Sequence, residues 1–354
     1  MPDPSLTGAR GTGLGSLVVC GEYAVLEPGG LGIVSALDAS VHADVFPADT
    51  WRLETPFRSE SFDPVRVEAH GVDISPASEQ RFARSAVVEC AAYLLRMGKP
   101  IDPLRIVVGR FSPSANADPL PPGVSGLSSS AAVVAAIVSG MLRLYMDADE
   151  ARRRAFPLAL RAHRRAQGGV GSGIDVAAAL FGGFELFTAH PQSPSVRPLR
   201  WPSAIRVRIM WSGERAETAP RIERLGAYRR SRPQEWSAFV RRSTELTTAL
   251  LDALSREDVQ TVFSCIEAHR LLLSTLGAAA GLEIETPVVK RMIALGDELG
   301  MKAKASGAGG GDCGLLFFDE TLSPEAVDEA MEEAGLTPLR LGLGIEVDSI
   351  ALGQ

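Results

Sequence analysis

Cysteine is scarce in this chain of 354 residues, and the cysteines that occur are far apart. The four positions are Cys20, Cys90, Cys265 and Cys313, so the chain has no C-x-x-C pair. The five histidines also lack the spacing of metal ligands. We therefore expect buried free thiols in a reducing compartment and no structural zinc site.

An excess of positive charge and long apolar runs are also lacking. The formal net charge of −7 argues against nucleic acid as a main partner, because such proteins need a basic face. The longest apolar run, residues 131–138, is far shorter than the ~20 residues that cross a bilayer. The first residues also lack the pattern of a signal peptide. We therefore expect a cytoplasmic protein without a membrane partner.

A glycine-rich loop is the most informative segment. Residues 304–314 read Lys-Ala-Ser-Gly-Ala-Gly-Gly-Gly-Asp-Cys-Gly, between two apolar segments that are predicted to be strands. Glycine tolerates positive φ and has no Cβ, so its backbone N–H groups can approach an anion closely. Lys304 adds a positive charge suited to phosphate. We interpret the loop as a phosphate-binding nest rather than a flexible linker, because apolar segments anchor both of its ends.

Two further segments fit phosphate chemistry. Residues 121–132 read Pro-Pro-Gly-Val-Ser-Gly-Leu-Ser-Ser-Ser-Ala-Ala and lead into an apolar helix, whose N-terminus would attract phosphate. Taken alone, this segment fits an ordinary capped core helix equally well. Asp175 follows a second glycine segment, residues 168–173. Aspartate is a common helix cap, but a carboxylate beside two phosphate loops is also suited to orient and deprotonate an acceptor hydroxyl.

The motifs, and their order along the chain, resemble those of the GHMP small-molecule kinases. Residues 15–29, which contain Gly-Glu-Tyr-Ala-Val-Leu-Glu-Pro-Gly, are similar to the first motif of that family. Residues 121–132 are similar to its ATP-phosphate loop, and residues 304–314 to its third motif. Gly-Ser-Gly-Ile-Asp-Val-Ala at 171–177 and Trp-Ser-Gly at 211–213 are most similar to the phosphomevalonate kinase branch.

The resemblance implies an α+β fold with two domains and an active site between them. Residues 1–192 would form a ribosomal-protein-like N-terminal domain, and residues 193–354 a ferredoxin-like C-terminal domain. The activity implied is ATP- and Mg-dependent phosphorylation of phosphomevalonate. Mevalonate or another small alcohol is the alternative acceptor, and a catalytically silent ligand-binding protein is the alternative from another class. A monomer and a homodimer both remain open.

The same resemblance assigns the site residues. Asp175 would orient and deprotonate the acceptor, and Ser129 or Ser130 would bind Mg. The ATP phosphates would contact Gly126, Leu127, Ser128, Ser129, Ser130 and Ala131, together with Ser306, Gly307, Ala308, Gly309 and Gly310. The acceptor would contact Glu22, Tyr23, Ser172, Gly173, Ser212 and Gly213.

Three positions depart from the pattern of the family. Ser16 stands where a lysine is usual near the transferred phosphoryl group, and we expect Lys304 to supply the missing charge. Ser16 and Lys304 are therefore grouped with Asp175 as catalytic positions. Ser128 replaces a glycine and so loses free access to positive φ. Glu217 replaces a serine, and a carboxylate facing the site would repel a phosphorylated acceptor.

Apolar periodicity predicts the remaining elements. Helices are expected over residues 81–97, 131–145, 149–165, 234–254, 258–276, 287–299 and 324–334. Strands are expected over residues 17–20, 31–37, 41–46, 104–108, 205–211, 301–305, 314–318 and 339–343. The arginine-rich segment 221–232 is interpreted as a solvated helix face, with contact to a substrate phosphate as the alternative.

Overall fold

Two sheets, each with its own helices, organise the part of the chain that the structure describes. The structure is a computed structural model, and it describes residues 8–64, 80–115, 117–216 and 218–346. Glu217, which the sequence placed near the acceptor, lies outside these ranges. Within them, no helix is long and apolar enough to cross a membrane.

The larger sheet is built around one long strand, β2. Its strands are β1 (Ala9–Cys20), β2 (Leu31–Pro47), β3 (Arg52–Glu54), β4 (Ser59–Glu60), β5 (Leu104–Val108), β6 (Ser112–Pro113), β7 (Phe184–Thr188) and β8 (Ser195–Leu199). The order is β4-β3-β5-β2-β7-β8, and β1 and β6 also pair with β2. A short 3₁₀ turn, Ala24–Leu26, lies between β1 and β2.

Four helices cover one face of this sheet. They are α1 (Arg81–Arg96), α2 (Ser129–Tyr145), α3 (Ala148–Ala166) and α4 (Ile174–Phe181). Two glycines of β1 let α2 lie directly on the strand, since a Cβ on Gly11 or Gly13 would come within 2.0 Å of an α2 carbonyl oxygen. The N-terminus of α2 is thereby fixed beside β1, which matters for the site described below.

The smaller sheet has the strand order β10-β11-β9-β12, with all neighbours antiparallel. Its strands are β9 (Arg206–Trp211), β10 (Lys302–Ala305), β11 (Cys313–Phe318) and β12 (Thr337–Leu339). Its helices are α5 (Thr218–Ser231), α6 (Pro233–Ser255), α7 (Val259–Ala280), α8 (Pro287–Glu298) and α9 (Pro324–Glu333). Strand, helices, two strands, helix and strand follow one another along the chain, which is the ferredoxin-like order that the resemblance implied.

A shared hydrophobic core joins the two sheets. Leu17 and Val19 of β1 are buried in the same cluster as Ile209 of β9 and Leu315 and Phe317 of β11. The larger sheet therefore has helices on one face and the second domain on the other. The predicted α+β architecture with two domains is confirmed.

The sequence located most elements within a few residues, and the buried free cysteines are also confirmed. The last predicted strand, 339–343, is wrong. The strand is Thr337–Leu339 on β9, and Leu343 instead bridges to Leu37 of the larger sheet. The predicted domain boundary at 192/193 falls between β7 and β8, which pair with each other, so the chain changes sheets only between Leu199 and Arg206.

The Glu185 carboxyl on β7 should make stability depend on pH. Burial, with a smaller contribution from Glu346, raises its pKa from 4.5 to about 7. Between these values the folded state keeps a proton that the unfolded state loses, so the free energy of unfolding falls as the pH rises through this window. We expect Glu185→Gln to raise the free energy of unfolding by about 1–2 kcal/mol at pH 8 and to change little at pH 4.

Denaturant unfolding of both proteins from pH 4 to pH 8 would measure this difference. Glu320→Gln, at an exposed position, is the control and should follow the parent chain at every pH. A Glu185→Gln curve parallel to the parent curve would contradict the assignment.

Candidate active site

The backbone of β1 holds both predicted phosphate loops. The Ser16 N–H donates to the carbonyl of Leu127 at 3.1 Å, and the Ser128 hydroxyl donates to the carbonyl of Ser16 at 3.2 Å. From the other domain, the Ser306 hydroxyl donates to the carbonyl of Val18 at 2.9 Å. The two loops are therefore fixed on one strand, two residues apart.

The two loops also touch each other. The Ser125 hydroxyl donates to Asp312 Oδ1 at 2.5 Å, and the Cys313 thiol lies 3.6 Å from the carbonyl of Ser125. Gly126 lies so close that a Cβ there would be 2.3 Å from Cβ of Asp312. Asp312 also bonds through its backbone to Ser212, so it connects three segments. Segments far apart in sequence thus form one surface.

Ser128 has the backbone conformation of the glycine that it replaces. It is the N-cap residue of α2 with φ 57°, in the left-handed region that a side chain disfavours by about 1 kcal/mol. The hydrogen bond from its hydroxyl to Ser16 offsets part of that cost. Serine at this position therefore keeps the loop in place.

Asp175 lies in the first turn of α4 and is linked to α2 through a buried histidine. Oδ2 of Asp175 is 3.5 Å from Nε2 of His163, and the same nitrogen is 3.4 Å from the Ser130 hydroxyl. Burial lowers the pKa of His163, with partial opposition from the Asp175 carboxylate, so the imidazole is neutral at pH 7. His163 was not among the predicted site residues. Its signal was a polar residue on the alanine-rich face of α3 that is otherwise apolar.

Lys304 and Glu22 form a buried ion pair. The Lys304 side chain has 0% exposure, and its ammonium donates to Oε1 of Glu22 and to the carbonyl of Ala305. A buried charge needs such a partner, since an unpaired one is strongly destabilising. The expectation that Lys304 supplies charge to a bound phosphate does not fit this arrangement. Nor does Glu22 present its carboxylate to an acceptor, because it is buried with Lys304.

Tyr23 contacts the glycine-rich loop. Its hydroxyl donates to the carbonyl of Ala308 at 2.6 Å, and burial raises the pKa of Tyr23 to about 12, so the hydroxyl remains a donor. Arg221 of α5 reaches the same loop: a Cβ on Gly310 would lie 1.4 Å from its Nη2, and its Nη1 donates to the carbonyl of Glu283. Arg221 is therefore partly exposed and contacts the loop at the same time.

The other predicted residues occupy several environments. Ser172 and Gly173 lead into α4, where the carbonyl of Ser172 accepts from Arg164 at 3.1 Å. Ser212 is buried against Asp312, whereas Gly213 has open space around its Cα. Ala131 and Leu127 are buried, so only their backbone groups could face a ligand. Ser129 is exposed and Ser130 is partly buried. The side-chain hydroxyl of Ser16 is buried and has no hydrogen-bond partner among the described residues.

A cavity of about 630 Å³ opens at the N-terminus of α2. It is lined by Ser129 and Ser130, by the aromatic rings of Phe57 and Phe111, and by Arg215 from the second domain. Its volume lies in the range of small-molecule sites. A groove of about 780 Å³ along α6 is larger, but it contains no predicted site residue. The cavity at α2 is therefore the candidate ligand site.

Both halves of the chain match models of one protein family. Residues 86–183 match "GHMP kinases N terminal domain", and residues 250–336 match "GHMP kinases C terminal". The first match includes α2 and Asp175, and the second includes the glycine-rich loop. The resemblance that the motifs indicated is confirmed at this level.

Individual relatives extend over nearly the whole chain. The phosphomevalonate kinase of Streptomyces sp. is 27% identical over 94% of this chain and 96% of its own length. The mevalonate kinase of Archaeoglobus fulgidus is 24% identical over 86% of this chain and 90% of its own. The solved phosphomevalonate kinase of Streptococcus pneumoniae, in complex with phosphomevalonate and AMPPNP, aligns with a TM-score of 0.76 and 20% identity over 94% and 99% of the chains. That last likeness concerns the fold.

The contact between the two loops predicts unequal effects of two alanine substitutions. Gly123 and Gly126 both have positive φ, so alanine at either should cost about 1 kcal/mol. Only Gly126→Ala also collides with Asp312, since the nearest atom to a Cβ on Gly123 is 3.8 Å away. We expect Gly126→Ala to lose a further ~1–3 kcal/mol and to speed amide exchange in residues 306–312.

Thermal unfolding and hydrogen-exchange mass spectrometry of the two variants would measure these effects. Equal stability and equal exchange in both would show that the loops do not depend on this contact.

Proposed function

Since the chain belongs to the GHMP kinase family, whose members are kinases, we propose that it transfers the γ-phosphoryl group of ATP to phosphomevalonate. The observation that carries this proposal is the convergence of both loops on β1, with Asp175 linked to Ser130 through one histidine. Phosphoryl transfer depends mainly on positioning and on neutralising charge, and this arrangement suits both.

The cavity at α2 is the proposed ATP site. Its aromatic rings, Phe57 and Phe111, suit a nucleobase. Ser129 and Ser130 of the α2 N-terminus also line it, and backbone N–H groups at a helix N-terminus suit phosphates. Phe57 is 76% exposed, which is unusual for an aromatic side chain and is consistent with a surface that a ligand covers. The nucleotide would then be bound mainly by the first domain.

The residues present fit a magnesium ion. Mg²⁺ keeps several waters and takes few protein ligands beside the phosphates of a nucleotide. The Ser129 and Ser130 hydroxyls line the cavity beside the proposed phosphate position and would hold the ion there. When bound, Mg²⁺ would neutralise charge on the transferring phosphates.

Asp175 is proposed to orient the acceptor. For a hydroxyl acceptor it would also accept the proton, whereas the phosphate of phosphomevalonate is already anionic and needs orientation alone. The full-length similarity to a phosphomevalonate kinase supports the phosphorylated acceptor. Arg221 at the glycine-rich loop supports it too, because a guanidinium is well suited to bind a phosphate. Mevalonate is the second candidate, since a mevalonate kinase is similar over most of the chain.

The acceptor is tested by product analysis. Purified protein with ATP and Mg²⁺ would be given phosphomevalonate or mevalonate, and products would be identified by mass spectrometry. We expect the diphosphate of mevalonate from the first and little turnover of the second. Preferential turnover of mevalonate would exclude the phosphorylated acceptor, and no turnover of any small alcohol would favour a silent ligand-binding protein.

With mevalonate as the acceptor, Asp175→Asn should lower kcat by about 10²–10⁴-fold, because the carboxylate then also acts as a base. With phosphomevalonate, which needs orientation alone, the loss should be smaller, and the KM for ATP should be nearly unchanged in both cases. The substitution keeps the shape of the side chain and removes its charge and basicity. Steady-state kinetics at saturating acceptor would measure both constants. Turnover close to that of the parent chain would remove Asp175 from the mechanism.

Arg215 is proposed to supply the positive charge that the lysine usual at the position of Ser16 provides in the family. It lines the cavity beside Ser129 and Ser130, and its backbone lies against the glycine-rich loop, where Asp312 donates to the carbonyl of Glu214 at 2.7 Å. We expect Arg215→Gln to lower kcat/KM for ATP by about tenfold or more, and Arg215→Lys to lower it less. Arg200→Gln, which removes an exposed arginine paired with Glu257, is the charge-matched control. An equal effect of Arg200→Gln and Arg215→Gln would exclude a local role.

A further inference from the structure

We propose that His163 is a positioning residue, which fixes the Asp175 carboxylate relative to the Ser130 hydroxyl through an imidazole protonated on Nε2. The inference rests on the proposed kinase function. It adds a residue outside the three sequence motifs. Ser130 and Asp175 belong to different helices, and His163 on a third helix lies between them.

The position of the imidazole is rigidly determined. His163 is 1% exposed, and its ring packs against Phe82 of α1 with the centroids 5.0 Å apart. The neighbouring carbonyl of Ala162 accepts a hydrogen bond from Ser85 at 2.7 Å, which ties the end of α3 to α1. A buried ring that packs against α1, on a helix tied to α1, is able to hold the more mobile groups that it faces.

Asp175 needs such a contact more than a buried carboxylate would. Its side chain is 26% exposed, so solvent competes for both oxygens. Oδ1 accepts from the Val176 N–H at 3.0 Å, and Oδ2 faces His163. Arg164, next to His163, donates to the carbonyls of Gly171 and Ser172 in the loop before Asp175. The last turn of α3 therefore orients both the loop and the carboxylate.

The hydrogen-bond partners of its two ring nitrogens determine the tautomer of His163. Nδ1 of His163 is buried and has no partner among the described residues. A proton on Nδ1 would leave a buried N–H donor unsatisfied and would point a lone pair on Nε2 at the carboxylate, and each of these is unfavourable. A proton on Nε2 places the donor between Asp175 and Ser130 and leaves only an acceptor unpaired. The structure assigns the Nε2–H form.

Three substitutions separate this role from packing. His163→Phe keeps a ring but removes the donor, His163→Gln can place an N–H near the position of Nε2, and His163→Asn places one near Nδ1. With ATP and phosphomevalonate, we expect the phenylalanine and asparagine variants to lose about 10–100-fold in kcat, with the KM for ATP within about threefold. The glutamine variant should retain most of kcat. Parent-like kcat in a folded phenylalanine variant would overturn the proposal and leave the kinase function standing.

A double-mutant cycle tests whether His163 acts through Asp175. If it does, adding His163→Phe to Asp175→Asn should lower kcat little further than Asp175→Asn alone. Losses that multiply would show independent action and would overturn the positioning role. Thermal unfolding of each variant identifies any that fails to fold, and the glutamine and asparagine pair then carries the comparison, because both are polar and close in size.

The tautomer is measured without turnover. Long-range ¹H–¹⁵N correlation spectra of the full chain with labelled histidine distinguish Nε2–H from Nδ1–H, and His163→Gln identifies the signal. An Nε2–H signal supports the inference and an Nδ1–H signal overturns it. Absence of product from the parent chain would contradict the proposed function instead, so the two failures are distinguishable.

Discussion

The backbone of β1 between Ser16 and Val18 is the constraint on which the site depends. Leu127 and Ser128 bond to one end of this stretch and Ser306 to the other, and the shared core beneath it holds the two domains together. Because these bonds involve backbone atoms of β1, they are made without any group of the side chain at position 16. With a serine in place of the lysine that is usual in the family, the site lacks one charge and keeps these bonds.

The buried pair of Lys304 and Glu22 adds a second link between the same segments. It joins the strand before the glycine-rich loop to the segment that follows β1. Two desolvated charges depend on each other, so loss of either leaves the other unpaired at a cost of about 3–5 kcal/mol. Glu22 and Lys304, which the motifs assigned to the acceptor and to phosphate, thus hold the loop in place instead. A loss of activity after substitution of Lys304 would report on folding as much as on chemistry.

The sequence predicted what depends on local order and missed what depends on distant contacts. Apolar periodicity located β5 at both ends, and glycine content identified the loops, because each is a property of a short segment. His163 and Asp312 were missed as site residues because their roles arise from contacts with Asp175 and Ser125, which no local pattern encodes. The last strand was misplaced because Leu341 and Leu343 are apolar for another reason: this segment returns to the larger sheet, where Leu343 pairs with Leu37.

Both domains place positive charge beside the site. With Ser16 neutral and Lys304 paired, the arginines beside the loops are Arg215, at the cavity, and Arg221, at Gly310. Both follow β9 in sequence, and the turn before Arg215 is bonded to Asp312, which itself contacts Ser125 of the first domain. The strand that positions the loops is thus separate from the residues that carry their charge. Arg81 and Arg110 of the first domain also line the cavity, so domain packing adds the charge of the second domain to positive charge that the first domain already places there.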